Sequence, residues 1–406
     1  MLRFYTAGES HGEALVASIS GLPAGLPVDQ AFIDRELWRR QQGYGRGGRM
    51  KIETDRAHFV SGVRDGKTIG SPIALLLENK DWKNWVEALP VGAGDPEKYR
   101  RVASPRPGHA DLAGALKYNF TEARYVLERA SARETTSRVA LGALAKLFLR
   151  ELGIEVLSHV VALGAVAVDS SQITWEQIQQ VCAREEVLLS AVDPDAEQQM
   201  KAEVDKVLRT GDTLGGIFEV RAHGVPPGLG TYANWDERLD AQLAAAVMSM
   251  QAVKAVEIGF GVVGAVSPGS AVQDEIGYGA GQDKGAGQDK GKQESDGRFT
   301  EFTRPTNRAG GIEGGISNGE EIIVRGYLKP ISTLRRPLGS VDFETREPMK
   351  AAYERSDVCV VPAAGVVGEA MVALTIARSA LEKFGGDSML EVRRNFDGYR
   401  EQLRNF

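Results

Sequence analysis

Residues 104–138 read SPRPGHADLAGALKYNFTEARYVLERASARETTSR. Prolines bracket Arg106, and a turn is predicted at Gly108 and His109, because glycine readily adopts turn conformations. A helical run rich in arginine and small residues follows. Leu, Ala and Val continue at helical spacing through residues 139–152, so the sequence predicts a long helical segment behind this turn.

The arginines of this segment allow two interpretations. Arg129 and Arg133 stand four residues apart, so on one helix they would share a face and repel by roughly a few tenths of a kcal/mol. The first interpretation is a solvated helix face on which Glu128 and Glu134 screen the arginines and Glu134 pairs with Arg138. The second is a site at which an anion lies between the two arginines.

Composition limits the class of protein. The chain has 406 residues, of which 42% are hydrophobic, enough for a large core. The net charge of −6 argues against non-specific nucleic-acid binding, whereas clustered arginines on an acidic chain indicate a local anionic ligand. The two cysteines, Cys182 and Cys359, suit a reducing compartment, and no Cys/His spacing indicates a metal site. The N-terminus lacks an apolar signal core, and the best apolar run, residues 160–168, is of strand length. We therefore expect a cytoplasmic protein with no membrane or nucleic-acid partner.

Hydrophobic periodicity predicts both helices and strands. Strands are predicted at residues 1–6, 13–20, 54–79, 156–168, 215–223, 257–265, 321–328 and 358–361. Helices are predicted at residues 27–42, 111–152, 171–183, 196–209, 236–256 and 366–384. Asp29 is the predicted N-cap of its helix, and the small residues of 236–256 predict a central, buried helix. The elements lack the regular βαβ spacing of a parallel sheet.

A glycine-rich loop with four arginines follows the first helix. Residues 39–49 read RRQQGYGRGGR, which matches neither a P-loop nor a GxGxxG fingerprint. Arginine forks bind two oxygens at once, so the favoured interpretation is a clamp on phosphate or carboxylate groups. A disordered basic loop and an RNA contact are the alternatives.

Other stretches carry candidate functional groups. His11 lies in a turn bounded by glycines, which allow close approach to a ligand. Lys329 and the hydroxyls of Ser332 and Thr333 could hold a phosphate, and the glycines of 306–316 would admit a flat ring system. Asp357 precedes a buried apolar segment. A charge in such a place costs free energy unless it is ion-paired or takes part in function.

A low-complexity segment interrupts the second half of the chain. Residues 279–290 read GAGQDK twice, and GKQESDG follows. This composition cannot bury a core, so we expect one domain over residues 1–406 with a flexible insert at about 277–297.

Taken together, eight motifs resemble those of one family, chorismate synthase. They are AGESHG at 7–12, RRQQGYGRGGRM at 39–50, SPRPGHAD at 104–111, RASARET at 129–135, MQAVKAVEIG at 250–259, GGIEGGISNG at 310–319, LKPISTL at 328–334 and RSDVCVVPAAGVVGEAMVA at 355–373. They follow in order over nearly the whole chain, and the repeat insert lies outside the family pattern.

The resemblance implies a fold and a reaction. The family fold is α+β, with a central helical layer sandwiched between antiparallel β-sheets, assembled as a homotetramer. Its members convert 5-enolpyruvylshikimate-3-phosphate to chorismate and phosphate, the last step of the shikimate pathway. The reaction is an anti-1,4-elimination that requires reduced FMN without net redox change. The substrate is a small anion with two carboxylates and a phosphate, which suits the surplus of arginines.

The resemblance also implies roles for individual residues. Substrate anions would be bound by Arg40, Arg46, Arg49, Arg106 and Arg133. FMN would contact Arg129, Ala130, Ser131, Gln251, Ala252, Gly314, Lys329, Pro330, Ile331, Ser332, Thr333 and Arg355. His11 would protonate the departing phosphate, His109 would protonate or hydrogen-bond the reduced flavin, and Asp357 would assist proton transfer at flavin N5. The other histidines, His58, His159 and His223, lie outside the motifs and are interpreted as structural.

Two other functions remain open on the sequence. One is a flavin-dependent oxidoreductase with an external substrate, and the other is a non-enzymatic anion- or RNA-binding module built on the Arg-Gly loop. The source of electrons is open too: NADPH could be the ultimate reductant, or an external flavin reductase could be a partner.

Overall fold

The protein was analysed as a computed structural model that describes residues 1–47, 53–279, 299–354 and 357–406. The low-complexity insert from residue 280 onward lies outside the described residues. So do two candidate site residues, Arg49 and Arg355.

Strands and short hairpins alternate with helices along the chain. The strands are β1 (Arg3–Ala7), β2 (Ala14–Ser20), β3 (His58–Ser61), β4 (Val63–Arg64), β5 (Lys67–Thr68), β6 (Ile73–Glu78), β7 (Glu155–Leu163), β8 (Val166–Ala167), β9 (Gly216–His223), β10 (Val253–Ile258), β11 (Gly277–Tyr278), β12 (Phe302–Thr303), β13 (Ile312–Glu313), β14 (Ile316–Ser317), β15 (Ile322–Leu328), β16 (Gly339–Val341) and β17 (Pro348–Lys350). The helices are α1 (Gln30–Gln41), α2 (Asp111–Tyr118), α3 (Arg124–Ala130), α4 (Thr135–Arg150), α5 (Trp175–Ala183), α6 (Pro194–Thr210), α7 (Leu239–Met248), α8 (Gly261–Ala265), α9 (Gly269–Val272), α10 (Val361–Phe384) and α11 (Met389–Arg404).

Two antiparallel sheets form the outer layers. The first has the strand order β1-β2-β6-β3, and the second has the order β10-β15-β9-β7-β8. The predicted strand at 13–20 forms β2, in which Leu15, Ala17 and Ile19 are buried, whereas Val16 points outward and is exposed. The first sheet therefore offers one apolar face to the interior, whereas successive residues of β7 and β9 in the second sheet are buried.

Helices α4 and α10 fill the space between the sheets. Helix α4 packs against β2 of the first sheet, and α10 packs against α4 and against β7 and β9 of the second. The helices approach closely at Gly142, where an added Cβ would lie 2.2 Å from the Cβ of Ala370. This arrangement is the predicted α+β fold, a helical layer between antiparallel sheets, and it is confirmed.

Helix α10 is long and apolar enough to cross a membrane by length and composition alone. However, 89% of its most apolar window is buried inside the protein. Its position between the two sheets accounts for its composition, since a helix that is covered on all sides reads as apolar all round.

The sequence prediction for α1 is confirmed in detail. The helix runs over Gln30–Gln41, and the Asp29 side chain accepts a hydrogen bond from the backbone N–H of Phe32 at 3.1 Å. Ile33 and Leu37 are fully buried.

Three predicted elements are wrong in extent or type. The helix predicted at 236–256 is limited to α7, on which Leu239, Leu243 and Val247 form one buried stripe. Residues 253–258 instead form β10, because β15 offers them an antiparallel partner. The strand predicted at 257–265 ends at 258, and α8 follows. The segment 358–361 forms no strand, because α10 begins at Val361.

The helix predicted through Arg129 and Arg133 is broken between them. Helix α3 ends at Ala130, Ser131 is extended, and a 3₁₀ turn at Ala132–Glu134 leads into α4. The two guanidinium groups therefore do not share a helix face. The predicted pairing of Glu134 with Arg138 is confirmed at 2.9 Å, and Glu134 also lies 3.8 Å from Arg129 NH2. An anion between Arg129 and Arg133 stays a prediction.

Candidate active site

The His11 turn joins β1 to β2 and holds the ring in the interior. Gly8 has φ +96°, and an added Cβ there would lie 2.5 Å from the carbonyl oxygen of Ala14, so only glycine fits. His11 is 8% exposed, and its ring lies on the ring of Trp85 with centroids 3.9 Å apart.

A buried glutamate on α3 binds this turn at three points. Glu128 faces His11 Nδ1 through Oε1 at 2.8 Å and accepts the His11 backbone N–H on Oε2 at 2.7 Å. Its backbone carbonyl accepts the N–H of Ser10 at 2.8 Å. Burial opposes ionisation of Glu128, but the hydrogen bonds and charge of His11 and the charge of Arg124 outweigh it and lower its pKa. The sequence interpretation of Glu128 as a screen for Arg129 and Arg133 is therefore wrong.

Asn79 connects the His11 turn to the buried arginine Arg133. Its side-chain amide donates to the carbonyls of Glu9 and Gly12 at 3.1 and 2.7 Å, and its Oδ1 accepts from Arg133 Nε at 2.7 Å. Arg133 also donates to Asp55 Oδ1 at 2.6 Å. The donors of Arg133 thus engage protein acceptors in this conformation.

Arg40 approaches the same aspartate from α1. Its NH1 lies 3.4 Å from Asp55 Oδ2, and its Nε donates to the Thr135 hydroxyl at 2.9 Å. Burial lowers the pKa of Arg40 to about 10, and the nearby charge of Arg133 acts in the same direction, although Asp55 opposes them. Two guanidinium groups therefore share the buried carboxylate of Asp55, and Arg133 also lies 3.7 Å from the buried carboxylate of Glu53.

Arg46 and Asp357 form an ion pair beside the glycine loop. Arg46 NH1 lies 3.2 Å from Asp357 Oδ2, and the Gly47 backbone N–H donates to Asp357 Oδ1 at 2.5 Å. Asp357 stands just ahead of α10, so the pairing joins the described part of the glycine loop to the start of that helix.

The second motif histidine, His109, also faces a carboxylate. Asp111, the first residue of α2, lies 2.5 Å from His109 Nδ1 and accepts Arg106 Nε at 2.8 Å. Burial opposes ionisation of Asp111, but hydrogen bonds from His109 and Arg106 hold its pKa well below the usual range. Arg106 NH1 donates to the Thr333 hydroxyl at 3.0 Å, and Lys329 Nζ contacts the carbonyl of Gly108. The turn at 108–109 is thus fastened to the segment that follows β15.

Two further candidate flavin contacts, Arg129 and Gln251, lie on different segments of the chain, and both segments are connected to Glu134. Arg129 donates to the Thr6 carbonyl at 2.7 Å, and Thr6 donates to Glu134 at 2.6 Å. Gln251 donates to Glu134 through Nε2 at 3.2 Å, while its buried Oε1 has no hydrogen-bond partner among the described residues. The carbonyl of Ala252, a residue with φ +70°, accepts the backbone N–H of Lys329 at 3.0 Å.

The other candidates are placed less tightly. Ser131 caps the 3₁₀ turn, and its hydroxyl accepts from Ser10 at 3.1 Å. Gly314 has φ +60° and open space where a side chain would be. Ala130 ends α3; Pro330, Ile331 and Ser332 follow β15, and the Ile331 carbonyl accepts from Thr213.

A cavity of about 1700 Å³ lies beside the His11 turn. It is lined by β1, the turn at 8–12, the loop at 88–96 and α3, and of the candidate site residues it includes Arg129.

The sequence interpretation missed the acidic and amide groups that organise the candidates. These are Glu128, Asp111, Asp55 and Asn79. Asp111 lies inside the SPRPGHAD motif, two residues after His109, so the motif itself could have indicated it. Glu128 directly precedes RASARET, but its partner His11 is 117 residues away, and no local pattern predicts that contact.

Comparison with known proteins gives matches over the whole chain. The sequence model of the family described as chorismate synthase matches residues 2–381. A chorismate synthase of Koribacter versatilis is 68% identical over 406 residues, and one of Geobacter sulfurreducens is 52% identical over 406 residues; both alignments cover 100% of each chain. A crystal structure of chorismate synthase matches with a TM-score of 0.76 and 39% identity, covering 100% of this chain and 99% of that one.

Proposed function

Since the chain belongs to the chorismate synthase family, whose members are lyases, we propose that it catalyses the elimination of phosphate and a proton from 5-enolpyruvylshikimate-3-phosphate to give chorismate. The reaction is an anti-1,4-elimination at the end of the shikimate pathway and requires reduced FMN. The observation that carries the proposal is the pair of motif histidines, His11 and His109, each backed by a buried carboxylate at Nδ1. Such a pair suits the transfer of two separate protons between protein and ligands.

The residues around Gln251 fit a flavin mononucleotide. Within the described part of the chain the buried Oε1 of Gln251 has no hydrogen-bond partner, and a bound ring with N–H groups would supply the donor. Lys329 and the hydroxyls of Ser332 and Thr333 are the donor types that bind phosphate.

When bound, reduced FMN supplies electron density that assists the departure of phosphate and is then returned, so no net oxidation occurs. The chain supplies charge and protons. We propose that Arg40, Arg46, Arg106 and Arg133, together with Arg49 from the sequence motif, bind the anionic groups of the substrate. Because Arg40 and Arg133 share Asp55, a substrate oxygen that binds them competes with a carboxylate that is already bound there.

The three catalytic residues have different proton-transfer roles in the proposal. His11 donates a proton to the oxygen of the departing phosphate, and His109 donates to or hydrogen-bonds the flavin. Asp357 assists removal of the substrate proton, and Arg46 holds its carboxylate in place.

The proposal extends to assembly and location. We propose a cytoplasmic homotetramer whose flavin is reduced either with NADPH or by an external flavin reductase. Light scattering coupled to gel filtration tests whether the protein is a tetramer. Consumption of NADPH by the purified protein with FMN distinguishes the two sources of electrons.

The test of the reaction is anaerobic incubation with 5-enolpyruvylshikimate-3-phosphate and reduced FMN, with phosphate and chorismate both measured. His11→Ala and His109→Ala should each lower turnover by about 10²–10⁴-fold while FMN still binds. His223→Ala is the matched control: this histidine pairs with Glu321 at 3.0 Å away from the motifs, and its loss should leave turnover near wild type. Near-normal turnover of the His11 or His109 variant would contradict the role assigned to that residue.

A further inference from the structure

The contacts of Glu128 assign it a part in the reaction that the family motifs do not cover. We infer that Glu128 is a positioning residue that holds the proton of neutral His11 on Nδ1, so that Nε2 is the nitrogen that gives its proton to the substrate. The inference rests on the proposed function, which gives His11 the role of proton donor.

The hydrogen-bond pattern fixes which nitrogen carries the proton. An ionised carboxylate accepts hydrogen bonds only, and a backbone N–H donates only. Glu128 Oε2 accepts the His11 backbone N–H at 2.7 Å, which leaves Oε1 for the ring at 2.8 Å. The lowered pKa of Glu128 keeps the carboxylate ionised near neutral pH. The ring nitrogen that faces Oε1 must therefore donate, and it does so as Nδ1–H.

The carboxylate is prevented from rotating away. Arg124 NH1 lies 3.5 Å from Glu128 Oε1, and Arg124 is itself fixed by Glu354 at 2.8 Å and by the carbonyl of Arg100 at 2.7 Å. On the other side, the Trp85 ring lies against the imidazole, tilted by 32° with centroids 3.9 Å apart, and limits ring rotation. Both partners of the hydrogen bond are thus buried and fixed, which is what selection of one tautomer requires.

The fixed tautomer gives the proton transfer a direction. Cationic His11 carries protons on both nitrogens. When the Nε2–H bond breaks and an O–H bond forms on the departing phosphate, the ring becomes neutral and keeps its Nδ1 proton, which is already bonded to Glu128. The product state is therefore as well hydrogen-bonded as the starting state, and no rearrangement accompanies the step.

A simple anchoring role for Glu128 predicts a different response to Glu128→Gln. Glutamine has one carbonyl and one NH₂ group. The backbone N–H of His11 can bond only to the carbonyl, so the NH₂ group must face Nδ1. Nδ1 then has to accept, and the neutral ring moves its proton to Nε2. If Glu128 merely anchored the turn, the variant would keep the turn, and turnover would survive this change of tautomer.

The experiment is ¹⁵N NMR of histidine-labelled protein, read for the neutral tautomer. The chain has only five histidines, so His11→Ala identifies the His11 signals by their loss. We expect Nδ1–H in the wild type and Nε2–H in Glu128→Gln, with turnover lowered about 10²–10⁴-fold at nearly unchanged KM. Glu382→Gln, a charge change on α10 at a side chain that is 41% exposed and pairs with Arg378, should leave both the tautomer and turnover as in the wild type.

Two results would overturn the inference. One is an Nε2–H tautomer at His11 in the wild type, a measurement that needs no variant to fold. The other is wild-type turnover in Glu128→Gln, whichever tautomer the variant shows. The proposed function has its own test. Wild-type protein that releases no phosphate would refute that function, and the His11 tautomer can still be measured in the same protein.

Discussion

Replacing Glu369 by Gln should strongly destabilise the fold, because Glu369 holds a charge network at the centre of the helical layer. Its carboxylate is fully buried on α10 and accepts from Arg39 NH2 at 2.7 Å, from the Ser158 hydroxyl at 2.6 Å and from Lys146 Nζ. Glu36 supplies the second carboxylate, 2.8 Å from Arg39 NH1. Two cations and two anions balance, so the network joins α1, α4, α10 and β7 without excess charge.

The size of the effect follows from the charge that Glu369→Gln removes. The variant leaves one buried cation uncompensated and turns an amide NH₂ toward donors. Breaking a buried ion pair in this way costs about 3–5 kcal/mol. The matched control is Glu382→Gln on the same helix, where the side chain is 41% exposed and pairs with Arg378 at 3.0 Å. An exposed pair of this kind contributes about 0.3–0.5 kcal/mol.

The assay is denaturant-induced unfolding of both variants and the wild type at one protein concentration, with the free energy of unfolding compared. We expect Glu369→Gln to lose at least about 2.5 kcal/mol more than Glu382→Gln. If the two variants lie within about 1 kcal/mol of each other, the network does not stabilise the helical layer as argued.

Three further predictions test the packing and the titrating groups of the core. Gly142→Ala should lower the free energy of unfolding by about 1–3 kcal/mol, because the added Cβ would overlap α10. Gly398→Ala on the open face of α11 should be neutral or slightly stabilising. Equal unfolding free energies of the two variants would contradict the close helix contact. Burial raises the pKa of Cys182 and of Cys359 to about 11, so iodoacetamide at pH 8 should modify neither thiol until the protein is unfolded, and mass spectrometry would detect early labelling. Burial opposes ionisation of Glu36, but its cationic neighbours lower its pKa to about 2, so it stabilises the fold fully above its unfolded pKa of about 4.3 and loses that contribution as pH falls toward 2. Acid titration of Glu36→Gln should therefore show a shallower loss of stability over that window, and an unchanged slope would refute the assignment.

Elements with a local signal could be predicted from the sequence. The N-cap at Asp29 and the glycines that end α10 both act within a few residues, so their patterns can be recognised in one stretch of chain. The helix predicted at 236–256 failed for the opposite reason. Its last residues pair with β15, some seventy residues away, and this tertiary partner outweighs the local helix preference.

The candidate site also contains residues with a local sequence signal and residues without one. The motif histidines and arginines could be found because they stand in short, distinctive stretches. The acidic groups that fix them could not, since Glu128 and Asp55 meet His11 and Arg133 only after the first sheet has packed on α4. A single serine at 131 also separates Arg129 from Arg133 by changing the backbone from helical to extended, which residue spacing alone does not predict.

The measurement that tests the central claim most directly is the stoichiometry of an anaerobic reaction. Purified protein is given limiting FMN, fully reduced at the start, and an excess of 5-enolpyruvylshikimate-3-phosphate, and phosphate, chorismate and the flavin absorbance are followed together. The account predicts equal amounts of phosphate and chorismate, many turnovers for each FMN, and flavin that is still reduced at the end. Oxidation of one flavin per product, or flavin oxidation without phosphate release, would contradict an elimination and favour an oxidoreductase.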